Sequence, residues 1–228
     1  MVGMQNFEVE IKSLLGSEER AEALRQQMKR LDPDTRLLDQ SSQLNHYFTG
    51  GSLEALAESL RFQCLSAQKC DELALLAKQA KDFSVRTREA QGKALLVVKA
   101  SVDDTTSSNG ISRIEFEEEC KLPLGALDAV VLGSGFNYQA KWSRQREAYS
   151  CRGITICLDK NAGYGWLAEF EKMVDEKGKV DAARHEIRAL MRELNVEELP
   201  QDRLERMFAF YNAHWQEYYG TDKTFTVA

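Results

Sequence analysis

The chain carries two sets of charged side chains that recur on alternating positions. The acids are Glu8, Glu10, Glu115, Glu117, Asp159, Glu169 and Glu171, and the bases are Lys12, Arg86, Arg88, Lys99, Arg113, Arg144 and Arg146. Clustered carboxylates are hard oxygen donors that suit Mg²⁺ or Mn²⁺. Clustered Arg and Lys suit phosphate, which a guanidinium grips through two parallel hydrogen bonds. Acids and bases gathered in one cavity therefore point to a metal ion with a polyphosphate. The competing reading is an open sheet whose charged side is simply wet, and the spacing alone leaves both open.

Period-2 stretches must position these groups. Phe7-Glu8-Val9-Glu10-Ile11-Lys12 alternates apolar and charged residues, so it reads as a strand with one greasy face. Its two carboxylates and ammonium project from one side, roughly 6–7 Å apart. Similar strands are expected at Arg36–Thr49, Phe83–Arg88, Ala94–Ala100, Ile111–Cys120, Phe136–Tyr149, Ile154–Asp159 and Trp166–Glu171. Gln91-Gly92 and Arg152-Gly153 read as tight turns, and 102–110 as a polar loop. Helical spacing appears after Ser17, from Ser52 to about Lys81 as one helix or two, and at Pro123–Leu132. Two more helices are expected at the C-terminal end, Lys179–Asn195 and Pro200–Tyr219. If such a sheet closes, helices pack outside and the charges point inward, where they must pair or bind ligand.

Composition narrows the classes. With 228 residues, 43% hydrophobic and 29% charged, the chain suits one folded domain, here 1–228, and not a disordered one. A net charge of -6 argues against double-stranded nucleic acid as a partner. Five scattered cysteines without a C-x-x-C pair indicate neither a disulfide framework nor a zinc site and fit a reducing, cytoplasmic setting. The first five residues lack a signal-peptide pattern, and no apolar run reaches membrane-spanning length. His46, His185 and His214 share no ligand spacing and are expected to be satisfied or surface histidines.

In order along the chain, several motifs resemble those of the CYTH superfamily, the triphosphate tunnel metalloenzymes. Glu8-x-Glu10-x-Lys12 resembles the family's E-x-E-x-K signature, and Gln43-x-Asn45-x-Tyr47-Phe48 its second-strand motif. Val85-Arg86-Thr87-Arg88 and Val97-Val98-Lys99 resemble its R-x-R and l-x-l-K strands, and Arg113-x-Glu115-x-Glu117 its R-x-E-x-E strand. Arg144-x-Arg146 with Tyr149, then Asp159, Gly165 and Glu169-x-Glu171, resemble its closing strands. The likeness covers about residues 6–219 and leans toward the thiamine triphosphatase and class IV adenylyl cyclase branches.

The resemblance implies an α+β fold: an eight-stranded antiparallel β-barrel, closed as a tunnel, with helices outside. Helices at about 52–81 form an insertion, and those at about 179–219 end the chain. It implies hydrolysis of a small-molecule triphosphate (tripolyphosphate, thiamine triphosphate or a nucleoside triphosphate) with Mg²⁺ or Mn²⁺; the sequence leaves the oligomeric state, monomer or dimer, open. The alternative is cyclisation of ATP to cyclic AMP and pyrophosphate; a less favoured one is a polyphosphate or nucleotide binder without catalysis. Lys12, Arg86, Arg88, Lys99, Arg113, Arg144 and Arg146 would clamp the phosphates. Glu8, Glu10, Glu115, Glu117, Asp159, Glu169 and Glu171 would hold metal, with Glu8, Glu10 and Lys12 at the catalytic centre. Two features depart from the pattern: Thr49 stands where the second-strand motif commonly has Asp, and the 52–81 segment is long. Lys141 has the wrong parity for the site.

Overall fold

A computed structural model of the chain describes residues 7–61, 63–101 and 114–227. The alternating stretches form eight strands: β1 Phe7–Gly16, β2 Arg36–Gly50, β3 Asp82–Ala90, β4 Lys93–Ser101, β5 Ile114–Cys120, β6 Phe136–Cys151, β7 Ile154–Asn161 and β8 Gly165–Val174. They make one antiparallel sheet in the order β1-β8-β7-β6-β2-β3-β4-β5. Six α-helices accompany it among the described residues: α1 Glu18–Leu31, α2 Leu53–Arg61, α3 Ala67–Gln79, α4 Leu124–Gly133, α5 Val180–Glu193 and α6 Gln201–Tyr218. The polar loop expected at 102–110, the start of the strand expected from Ile111 and the first five residues lie outside the described residues.

Local chemistry explains the boundaries. Ser17 caps α1 by accepting from the Arg20 amide, and acids fill the first turn while Lys29 and Arg30 occupy the last. The 52–81 segment forms two helices because Ser66 starts a new one, accepting from the Lys69 amide at 3.3 Å. Both two-residue hairpins take positive φ at both positions, Gln91 at 52° with Gly92 at 75° and Arg152 at 48° with Gly153 at 74°. That geometry matches the twist of the strands it joins. Gly51 is required: at φ +69°, a Cβ there would lie 2.2 Å from the Phe136 ring.

The described residues pack as two compact units. One takes those up to Ser42 and those from Ser143 onward; the other takes Gln43 to Trp142. In the first, the apolar positions of β1, β7 and β8 (Val9, Ile11, Ile156, Leu158, Phe170) meet Leu24 and Met28 of α1 and Ile187, Leu190 and Met191 of α5. In the second, Val85, Leu96, Val98 and Phe116 meet Leu56, Leu60, Leu73 and Leu127 from α2, α3 and α4. Each such fully buried side chain contributes about 1.5–3 kcal/mol, so the helices fix which strand face is left for the charges.

A cluster of polar side chains lies on the helix-covered side of the second unit's strands. Asp128 of α4 accepts from Thr87 at 2.6 Å and Tyr138 at 2.7 Å, and its other contact is His46 Nδ1 at 2.7 Å. Burial pushes the Asp128 carboxyl up, but the hydrogen bonds from His46, Thr87 and Tyr138 outweigh it and hold the group below its ordinary value. His46 is thus a satisfied buried histidine; the Nδ1 atoms of His185 and His214 lie 2.7 and 2.8 Å from the Asp181 and Phe210 carbonyls. Because the Asp128 pKa falls on folding, its stabilisation is complete above the unfolded carboxylate value and is lost as pH drops through the folded one. Asp128→Ala should cost about 3–5 kcal/mol near neutrality. Urea unfolding from pH 7 down to about 3 should show that deficit shrinking only below about pH 4.

Candidate functional site

In the first unit the β1–β8 ladder sets Glu10 opposite Glu171 and Lys12 opposite Glu169. The β6–β7 ladder sets Arg146 opposite Asp159. The parity that sends Val9, Ile11 and Phe170 into the core sends these groups to the other face.

Asp159 organises this face. It has no exposed surface, and both of its oxygens are engaged: Oδ1 accepts from Arg146 Nε at 2.7 Å, while Oδ2 accepts from Arg146 Nη2 at 2.6 Å and Arg144 Nη1 at 2.8 Å. Arg146 also pairs with Glu169 and, at 3.8 Å, with Glu171. Burial opposes the charge of Arg146, but Asp159 and Glu169 hold it well above the ordinary arginine value. Lys12 pairs with Glu10 and lies 3.5 Å from Glu169.

Carboxylate oxygens of Glu8, Glu10 and Glu171 lie within 4.8 Å of one another. Glu8 is buried, and Glu10 and Glu171 are partly so. Three close hard-oxygen donors fit a divalent ion such as Mg²⁺ or Mn²⁺.

The second unit carries Arg86, Arg88, Lys99, Glu115 and Glu117 on its charged face. Arg86 Nη1 donates to the Tyr47 hydroxyl at 2.8 Å, and its guanidinium lies over the Tyr47 ring, 5.6 Å from the centroid. Arg88 donates to Asn45 at 3.1 Å and to Glu117 at 3.1 Å. Glu115 lies 3.8 Å from both Arg86 and Lys99. Burial opposes the charge of Arg86, while Tyr47, Glu115 and Glu117 together raise its pKa. Arg86 Nε is buried without a hydrogen-bond partner among the described residues. An orphaned donor costs about 1–3 kcal/mol, and an anionic oxygen would satisfy it.

The structure thus gathers Glu8, Glu10, Lys12, Arg144, Arg146, Asp159, Glu169 and Glu171 on one face of the first unit. It gathers Arg86, Arg88, Lys99, Glu115 and Glu117 on one face of the second. Arg113 lies outside the described residues. Lys141 instead stacks over the Tyr138 ring at 4.2 Å. The motif residues Asn45 and Tyr47 act as orienters of Arg88 and Arg86, directly opposite them in the β2–β3 ladder; their shared parity on β2 was the available signal. Trp142 stands edge-on to Tyr47 with ring centroids 6.4 Å apart, a contact between distant strands that no local pattern carries.

No curated protein matches the chain. Among solved structures, a conserved hypothetical protein of Pyrococcus furiosus superposes with a TM-score of 0.60 at 18% identity, covering 83% of this chain and 91% of that one. A candidate adenylate cyclase of Vibrio parahaemolyticus gives 0.59 at 16% identity, covering 89% and 98%. A protein of Pyrococcus horikoshii gives 0.59 at 21%, covering 87% and 99%. These likenesses concern the fold. The CYTH domain family matches residues 75–203, from α3 into α6, more than half of the sequence. A match of that extent shows that the chain belongs to the CYTH domain family.

Proposed function

We propose that the chain is a divalent-metal-dependent hydrolase of a small-molecule triphosphate, its eight-stranded sheet closed as a tunnel. The observation that carries this reading is the carboxylate trio of Glu8, Glu10 and Glu171 on the face that also holds Arg144, Arg146 and Lys12. Membership of the CYTH family, whose members include triphosphatases and adenylyl cyclase-like proteins, supports it.

In this reading Glu8, Glu10 and Glu171 hold Mg²⁺ or Mn²⁺. When bound, the ion neutralises phosphate charge and polarises a phosphoryl oxygen. Asp159 is a positioning residue: with both oxygens engaged by Arg144 and Arg146, it sets the direction of those guanidiniums. Glu169 takes a lesser share of the same work through Arg146 and Lys12. Arg86, Arg88 and Lys99 bind phosphate oxygens, Arg86 aimed by Tyr47 and Arg88 by Asn45. Arg113 keeps its motif-based assignment to the phosphate. Glu115 and Glu117 orient the second unit's cations. The basic residues stabilise the charge that spreads over the transferred phosphoryl group as water attacks in line.

The deciding assay offers Mg²⁺ or Mn²⁺ with tripolyphosphate, thiamine triphosphate or ATP and resolves the products. Inorganic phosphate is expected, with loss of turnover on chelation. Cyclic AMP with pyrophosphate would replace hydrolysis by cyclisation, and no turnover of any substrate would overturn the enzyme reading. Glu10→Gln should lower turnover at least about 100-fold, a loss on the order of 3 kcal/mol. The same variant should lose the metal-dependent rise in melting temperature that the parent shows. Arg88→Ala should raise KM about tenfold or more, the loss of a charge-assisted hydrogen bond. Asp159→Ala should destabilise the fold by about 3–5 kcal/mol in chemical denaturation, since it strands buried guanidiniums. A stability equal to the parent's would remove Asp159 from the positioning role.

A further inference from the structure

All five cysteines are free, and they are scattered along the chain. Two of them nevertheless meet. The sulfurs of Cys64 and Cys120 lie 2.7 Å apart although 56 positions separate them in sequence. The fold builds this contact from both sides. Cys120 ends β5, opposite Ala94 of β4, on the core-facing parity it shares with Phe116. Cys64 lies between α2 and α3 in a tight turn in which the amides of Gln63, Cys64 and Leu65 all donate to the Leu60 carbonyl, at 3.0–3.1 Å. Cys120 is buried at 1% exposure, and Cys64 is partly exposed.

We propose that Cys64 and Cys120 are a reversible oxidation site whose oxidant is a low-molecular-weight disulfide such as oxidised glutathione. Bringing the sulfurs to bonding distance, about 2.05 Å, takes less than an ångström of movement. The contact with Cys120 pulls the Cys64 thiol below its usual range, against the effect of burial. The same contact, together with burial, pushes Cys120 up. The thiolate is the nucleophile in exchange, so the two roles separate. Cys64 attacks one sulfur of the oxidant, and the first glutathione leaves as a thiolate. Cys120 then gives up its proton and attacks the Cys64 sulfur of the mixed disulfide, expelling the second glutathione. Two electrons and two protons pass to the oxidant, which leaves as two thiols, and one S–S bond remains in the protein. Cys70 is no equal competitor, being buried with its thiol pushed up by that burial. The bond ties the α2–α3 turn to the end of β5, the strand that carries Glu115 and Glu117.

The test treats the full chain with oxidised glutathione, denatures it in alkylating reagent and measures intact mass and linked peptides. The expected result is two fewer alkylated cysteines, a Cys64–Cys120 peptide, and full reversal by dithiothreitol. Cys120→Ser should instead accumulate a stable glutathione adduct on Cys64, and Cys64→Ser should take up none at Cys120. Five alkylated cysteines after oxidation, a lasting adduct on the parent protein, or a bond through Cys70 would each overturn the proposal. The parent protein alone decides the matter if either variant fails to fold.

Discussion

A strand face shielded from water must balance its own charge, and the architecture of the charged faces follows from that. Asp159 has no exposed surface, so its carboxylate is tolerable only because three guanidinium hydrogen bonds reach it. Those bonds in turn immobilise Arg144 and Arg146, which are themselves largely shielded. Removing any member leaves the others uncompensated. Coulombic pairing here serves placement more than net stability, since buried pairs roughly repay their own desolvation.

Net stability comes from the opposite parity. On β1, Val9 and Ile11 are fully buried while Glu8, Glu10 and Lys12 alternate with them. A one-residue slip of the β1–β8 ladder would send those apolar side chains to the charged face and the charges into the core. Hydrophobic burial against α1 and α5 therefore holds the register that sets Glu10 opposite Glu171. The second unit repeats the arrangement. There α2, α3 and α4 cover one face of β3 and β4, and Arg86, Arg88 and Lys99 stand on the other.

Much of this was legible because period 2 is a strong signal. Among the described residues every expected strand is present within a few residues of its expected bounds, and both two-residue turns were marked by Gly at the second of their two positive-φ positions. Parity also sorted acids and bases onto shared faces and set Lys141 aside. Register was not legible. Nothing local in the sequence pairs Asp159 with Arg146; that pairing belongs to the β6–β7 ladder. Nor does any spacing bring Cys64 to Cys120 or Asp128 to His46. Those contacts arise when a helix or turn packs on a strand distant in sequence.

The spacing left a merely wet face as the rival to a charged site, and the burial of the side chains separates the two. A solvated face would leave long Arg and Lys side chains extended in water, where ion pairs contribute little. Instead Arg86 and Arg88 are 12% exposed and Lys12 and Arg146 are 13%. Charges so far removed from water are costly unless they are matched, and the contacts on each face show that matching: Arg146 with Asp159 and Glu169 on one, Arg88 with Glu117 and Asn45 on the other. The wet-face reading does not explain the shielding.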